Sequence, residues 1–171
     1  VYKRHGISAV LGRVWAEAPE ARHYALISDD SPMSAAEVRR FVDIQELLGE
    51  GHYFTVQPTV HSWSELANVF RGLGDGVDAA IVCGMGNEGA SAELREQACP
   101  PGLLDGVEVP VVTLGPTRMD QAGALTVSIR PAAHAREALE LVGRLLGGAA
   151  AESLPSRTPD DMSLFQAVEE E

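Results

Sequence analysis

The chain has 171 residues, of which 45% are hydrophobic and 22% are charged, the composition of one folded globular domain, so wholesale disorder is excluded. Its 13 Lys and Arg against 25 Asp and Glu give a formal net charge of -12, which disfavours nucleic acid as a partner because phosphates are repelled on average. The sequence has no apolar run of membrane-spanning length and no leader pattern at its start, so we expect a cytoplasmic protein that does not enter a membrane.

Residues 1–22 precede the first predicted strand and form an N-terminal helical extension in this interpretation. Apolar residues recur there at helical spacing, which predicts one buried helix face that packs against the core of the following domain. The residues of this stripe are Ile7, Val10, Leu11 and Val14.

Residues 23–148 form the predicted α/β domain, because short apolar runs alternate there with amphipathic helical stretches, as in βαβ units. The run that ends at Cys83 has no polar alternation, which is typical of a central strand covered on both faces. The predicted strands are His23–Ser28, Tyr53–Val56, Val77–Cys83, Val109–Leu114 and Ala124–Ile129. The predicted fold is a three-layer α/β/α sandwich around a mostly parallel, five-stranded sheet, receiver-like or Rossmann-like.

Four helices are predicted between and after these strands. Ser34 and Glu37 have the spacing of a capping box at the start of the first, and Ser62 and Glu65 have it at the start of the second. The third is predicted over about 91–99 and the last over about 133–146.

Residues 149–171 are interpreted as an acidic linker and tail. Asp160 and Asp161 could cap a short helix in which Met162, Phe165 and Val168 share roughly one face. The sequence therefore predicts a helical docking segment on this tail, with a solvated, disordered end as the alternative.

The two cysteines, Cys83 and Cys99, form no CxxC pair and no zinc-ligand cluster with histidine. They are expected to be reduced thiols. Cys83 ends the predicted central strand, where the N-terminus of a helix near Ser91 could activate it as a nucleophile. A buried, inert thiol is the alternative, and it is the commoner role of a free cysteine.

An acidic pair follows the first strand, where receiver domains of response regulators hold magnesium, and the alternating order of the α/β domain resembles theirs. The resemblance implies a site at Asp29 and Asp30. The position of the phosphoacceptor aspartate, however, falls on Cys83, that of the conserved hydroxyl residue on Gly115, and that of the lysine on Arg130. Phosphoryl transfer and a bound metal are therefore not predicted, and two aspartates before a proline are also ordinary turn residues.

A second set of short motifs is similar to the α/β core of the large subunit of exonuclease VII, a single-strand DNA nuclease. The resemblance implies the same fold class, but the family's catalytic positions fall on Arg39, Met85 and Pro116, with only Asp120 near an acidic position. Nuclease activity is therefore not expected. The motifs lie at 31–36, 57–60, 84–86, 109–115 and 125–130.

The loop after the third strand contains Gly84, Gly86 and Gly89 in the spacing of a dinucleotide fingerprint. Backbone N–H groups there could receive a small anionic ligand, although three glycines are also common in tight turns. Loops at the carboxyl ends of parallel strands form the default pocket of this fold. The candidate ligand-binding residues are Asp29, Asp30, Ser31, His61, Gly84, Met85, Gly86, Asn87, Gly89, Thr117 and Arg118.

Two functions follow from this pattern. The first is a non-catalytic regulatory or protein-interaction module that binds a protein partner or a second copy of itself. The second is an enzyme or small-ligand binder that uses the loops named above. No catalytic residue and no cofactor are identified by the sequence.

Overall fold

The computed structural model describes residues 5–86, 88–114, 119, 122–129, 131–150 and 165–168. The helices are α1 (His5–Glu17), α2 (Pro32–Ile44), α3 (Trp63–Arg71), α4 (Ala92–Glu96) and α5 (Pro131–Leu146), and a 3₁₀ turn covers Gln45–Leu48. The strands are β1 (His23–Ser28), β2 (Tyr53–Val56), β3 (Ala79–Cys83), β4 (Val111–Leu114), β5 (Leu125–Ile129) and β6 (Phe165–Val168). No helix in the described part of the chain is both long enough and apolar enough to cross a bilayer.

The strands form one sheet in the order β2-β1-β3-β4-β5-β6. The first five strands of that order run parallel, which confirms the predicted α/β fold. The sixth strand, β6, was not predicted and pairs antiparallel with β5, with Phe165 opposite Ile129. The predicted tail helix is therefore wrong over 165–168. A short helix is unstable on its own, whereas a strand at the free edge of β5 gains the backbone hydrogen bonds of a sheet.

Three strands begin later than their apolar runs, and β5 does so by one residue, at Leu125 instead of Ala124. The other two starts have a cause in the backbone. Val77 donates its N–H to Gly74 O and belongs to a turn, so β3 begins at Ala79. The run before β4 includes Pro110, which has no N–H for the ladder, and β4 begins at Val111. In both places the chemistry of the backbone, rather than hydropathy, determines where the strand starts.

The N-cap of α2 is Ser31, so the capping box predicted at Ser34 and Glu37 is wrong. The Ser31 hydroxyl accepts from Ser34 N at 3.2 Å, and Pro32 takes the first helical position, where its missing N–H costs nothing. For α3 the predicted cap is confirmed, because the Ser62 hydroxyl accepts from Glu65 N at 3.1 Å.

Helices cover both faces of the sheet. On one face, α1 and α2 pack against β1, β3, β4 and β5, and the four apolar stripe residues of α1 are all buried there. On the other face, α3, α4 and the segment 99–107 form a second apolar cluster. All five residues of β3 are buried between the two clusters, as expected for a central strand. The candidate loops lie at one edge of this packed sandwich.

Candidate functional site

The strand order places a crevice between the carboxyl ends of β1 and β3. The chain runs from β1 to β2 on one side and from β3 to β4 on the other, and a parallel sheet has its usual binding position where this direction changes. The structure brings the loop after β1 together with the loop after β3 at that point. We call these two loops, with the β2–α3 connection, the carboxyl edge.

Asp29 joins the two loops. Its side chain is 1% exposed; Oδ1 accepts from Ser31 N at 3.0 Å and Oδ2 accepts from Gly86 N at 2.9 Å. Buried carboxylate oxygens that accept backbone N–H groups stabilise the conformation of the loops that donate them. Both oxygens of Asp29 therefore have a structural role, which differs from the magnesium site implied by the receiver resemblance.

The glycine loop packs tightly against its neighbours. Gly84 O accepts from the Ser34 hydroxyl at 2.6 Å, and this hydroxyl is buried. Gly86 has a φ of 73°, and a Cβ at this position would lie 2.6 Å from Leu94 O. Met85 is buried in the α3 and α4 cluster. These glycines allow the loop to approach α4 closely, which is a packing role. Gly89, at a φ of 94°, lies against Pro32.

Asp30 and His61 form an exposed pair beside this loop. Oδ2 of Asp30 lies 3.1 Å from Nδ1 of His61, and Oδ1 accepts from Ser91 N at 2.9 Å. Desolvation acts to raise the pKa of Asp30, but the hydrogen bonds from His61 and Ser91 outweigh it, so the pKa lies below its ordinary value. The pair therefore ties the β1 loop to the starts of α3 and α4.

This arrangement is not a catalytic triad. Ser91 donates its hydroxyl to the backbone carbonyl of His61 rather than to the imidazole ring. Within the described ranges, Nε2 of His61 has no hydrogen-bond partner, so no serine is activated there. The sequence placed Asp30 and His61 on the same rim, and in the structure their side chains are in contact.

Cys83 is a buried thiol. Burial raises its pKa well above the ordinary value, the nearby Glu37 carboxylate raises it further, and Arg40 opposes the shift. Cys83 is 0% exposed, and burial of this kind disfavours the thiolate, which is the nucleophilic form. Burial also raises the pKa of Cys99. Among the residues that the structure describes, no three His, Cys, Asp or Glu side chains converge on a metal position.

Three of the candidate residues, Asn87, Thr117 and Arg118, lie outside the described residues. Ser31 is fully buried under the carboxyl edge as the cap of α2. The structure therefore brings Asp29, Asp30 and Ser31 of the first loop to His61 and the glycine loop. These residues meet through hydrogen bonds with each other and with the backbone.

A groove between α3 and the segment 97–107 was not predicted from the sequence. It has a volume of about 510 Å³, and its apolar wall includes Ala67, Phe70 and Leu103. Trp63 also lines it; this side chain is 3% exposed, and its Nε1 has no hydrogen-bond partner among the residues that the structure describes. A tryptophan beside a helix cap was the only signal in the sequence, and it equally predicts a core residue.

The second half of α5 was also missed as a surface. Leu139 is 70% exposed and Leu146 is 84% exposed, and Val142 and Leu145 are exposed as well. No residue from 139 to 148 is buried. The face of β4 and β5 is occupied by α1 instead. An amphipathic pattern predicts an apolar face but not which element covers it.

Comparisons with known proteins identify no family. No family model matches the chain, and no curated protein matches it. Among solved structures the chain is similar to an extracellular ligand-binding receptor from Rhodopseudomonas palustris HaA2, with 14% identity and a TM-score of 0.43. The match covers 71% of this chain and 36% of the receptor chain. No matching family model and no matching curated protein supports the receiver resemblance or the exonuclease VII resemblance.

Proposed function

We propose that this chain is a non-catalytic regulatory or protein-interaction module that binds through α5. The observation that carries the proposal is the exposed apolar face in the second half of this helix, which includes Leu139, Val142 and Leu146. A contiguous exposed apolar surface on a soluble domain is typical of a protein interface. The function is thus recognition rather than chemistry.

The groups at the carboxyl edge support this proposal because most of them already have partners. Asp29 uses both oxygens to accept backbone N–H groups, and Asp30 contacts His61 and Ser91. Cys83 is fully buried in the core. Catalysis needs a group whose reactive atom can reach a substrate, and neither the buried Asp29 carboxylate nor the buried Cys83 thiol is exposed to one.

The strand order gives the proposal a possible origin. Receiver domains share the order 2-1-3-4-5 that the parallel strands have here. In the receiver resemblance, Cys83 stands at the position of the phosphoacceptor. We infer a degenerate receiver-like or nuclease-core-like domain that has kept the sandwich and lost the chemistry.

A library of random peptides displayed on phage tests whether α5 is a binding surface. We expect the peptides that enrich on the wild-type chain to lose their binding to L139E and to L146E, because a buried carboxylate in the interface is costly. They should keep binding to L47E, because Leu47 is also an exposed leucine, at 74%, but lies on the 3₁₀ turn and not on α5. Enrichment that is equal on wild type and on L139E would contradict the proposal.

A second candidate function is binding of a small molecule in the groove beside α3. The volume of about 510 Å³ is that of a small-ligand site, and the apolar wall with Trp63 fits a partly apolar ligand. Thermal-shift screening of small aromatic fragments tests it, with A67W as a variant that fills the groove. Fragments that stabilise wild type should fail to stabilise A67W, and equal stabilisation of both would contradict this candidate.

A further inference from the structure

We infer that the partner of α5 is a second copy of this chain, paired with it as two antiparallel α5 helices around a two-fold axis. The inference rests on the proposed function, since it identifies the partner of the same surface. Three features support it: the spacing of the exposed apolar residues, the position of Gly143, and the charges beside them.

Three of the exposed apolar residues form one face of α5. At 3.6 residues per turn, Leu139, Val142 and Leu146 lie within about 60° of one another around the axis, and Gly143 lies beside them. A Cβ at Gly143 would meet no atom of the described residues within 4 Å, so none of them covers this part of the face. The helix presents a ridge with a shallow gap next to Val142.

This face is complementary to itself in one antiparallel register. A two-fold axis midway between Val142 and Gly143 places Leu139 of one copy at the level of Leu146 of the other. The same axis places Val142 at the level of Gly143 of the second copy, where the absence of a side chain leaves room for it. In a two-fold interface the same patch contacts itself, so each of these contacts occurs twice.

The charges beside the face match the same register. Glu140 and Arg144 lie on one flank of α5, and neither side chain has an ion pair with a described residue. The two-fold axis brings Glu140 of one copy to within about 1.5 Å, along the helix axis, of the level of Arg144 of the other. Opposite charges at such positions select the orientation of paired helices.

The local charge also allows two copies to approach. Residues 139–146 contain one Glu and one Arg and are neutral as a segment, whereas the whole chain carries a formal net charge of -12. Two acidic molecules repel each other over most of their surface. A neutral apolar helix is therefore the region where a second copy meets the least of this repulsion.

The interface is small. In this register only residues 139–146 of α5 face each other, a length of about 12 Å, so the helix pair buries less than the roughly 1,200 Å² of a standard stable interface. We therefore expect a reversible dimer whose population rises with protein concentration.

Sedimentation equilibrium over a range of concentrations up to the millimolar level measures this association. We expect wild type to dimerise, and L139E and L146E to weaken the dimer by at least about tenfold, since each loses a buried leucine contact. L47E is the matched control, because it places the same charge on an equally exposed leucine outside α5. Thermal unfolding checks that all variants fold.

The charge pair gives a test of the register itself. In E140R positions 140 and 144 are both Arg, and in R144E they are both Glu. Each variant alone should therefore repel its own copy and remain monomeric. An equimolar mixture of the two should form a heterodimer, because every Arg then faces a Glu. This rescue requires Glu140 of one copy to lie near Arg144 of the other.

The outcomes separate the two proposals. Dimerisation of wild type with loss in L139E and rescue in the mixture supports the antiparallel pair. Wild type that stays monomeric at the highest concentration, or a mixture that stays monomeric when wild type dimerises, overturns it. If wild type is monomeric but displayed peptides still require Leu139 and Leu146, the proposed function stands and the partner is a different protein.

Discussion

The carboxyl edge of the sheet and the second half of α5 differ in whether their side chains have contacts within the protein. At the carboxyl edge, polar groups are paired inside the protein, as when Asp29 accepts from Ser31 N and Gly86 N. Along α5 the reverse holds, because apolar side chains such as Leu139 and Leu146 are in solvent. At the usual binding position of this fold the polar side chains hydrogen-bond to the protein itself, whereas the apolar side chains of the peripheral helix α5 are exposed.

The comparison also shows why position in a fold does not give function. The carboxyl edge is a position where parallel sheets commonly bind ligands, and α5 is a helix of the kind that commonly packs on a sheet. In each region the side chains, and not the position in the fold, determine what the region can do. Buried polar groups with partners stabilise the chain, whereas exposed apolar groups gain free energy only when another surface covers them. Substitutions at the carboxyl edge should therefore affect folding, and substitutions in α5 should affect association.

The largest effect is expected from Gly86→Ala. The φ of 73° is strained for alanine, and the new Cβ would lie 2.6 Å from Leu94 O, a backbone atom that cannot move easily. We expect the free energy of unfolding to fall by about 3 kcal/mol, of which roughly 1–2 kcal/mol is the backbone term. Urea unfolding measures it. Gly106→Ala is the control, because its φ is 78° and its Cβ would meet nothing within 4 Å. Equal losses in both variants would show that the loop does not pack closely on α4.

Asp29→Ala is expected to have the next largest effect. It leaves the N–H groups of Ser31 and Gly86 without their acceptor in a buried site, which should lower the free energy of unfolding by about 2–3 kcal/mol. Asp43→Ala, at an exposed position on α2, should change it by less than about 0.5 kcal/mol. The same urea titration measures both. A loss at Asp29 as small as that at Asp43 would show that the carboxyl edge is not held by this residue.

A smaller, pH-dependent effect is expected from Asp30. Its pKa is lower in the folded chain than in the unfolded chain, so its contribution to stability is present above the unfolded pKa and is lost as the pH falls through the folded value. The pair is exposed, and solvent screening should keep this contribution below about 1 kcal/mol. Stability of wild type should therefore approach that of Asp30→Asn as the pH falls below about 4.

Unfolding measured from pH 7 down to pH 3 tests this behaviour, with the difference between wild type and Asp30→Asn as the quantity of interest. A difference that stays constant or grows as the pH falls would contradict the account of the Asp30 carboxylate. Either outcome indicates how much the conformation of the carboxyl edge depends on the contact between Asp30 and His61.

Much of the fold could be predicted from the sequence, because apolar runs locate buried strands directly. The bounds of β1 and β2 follow from hydropathy and turn residues alone. The starts of β3 and β4 could not, since they depend on a turn at Val77 and on the missing N–H of Pro110. The strand at 165–168 could not be predicted either, because it forms only against the free edge of β5.

The meeting of the three loops could be predicted from the sequence, whereas the contacts that their side chains make could not. Loops after β1, β2 and β3 meet because the strands are parallel, and this brings Asp30 to His61. Whether Asp29 points inward to Gly86 or outward to a ligand depends on how the glycine loop folds back, which hydropathy does not specify. The exposed face of α5 could not be predicted for a similar reason. Helix α1 covers the sheet near β4 and β5, and a sequence pattern does not identify which helix will do so.

Amide hydrogen exchange at low and high protein concentration tests the central contrast most directly, because it reports on both regions in one experiment. We predict that the N–H groups of Gly86 and Ser91, which donate to Asp29 and Asp30, are protected at both concentrations. Residues 139–146 should exchange faster in dilute protein and gain protection as the concentration rises. Unprotected amides at the carboxyl edge, or an α5 whose exchange is slow in dilute protein and independent of concentration, would contradict the account.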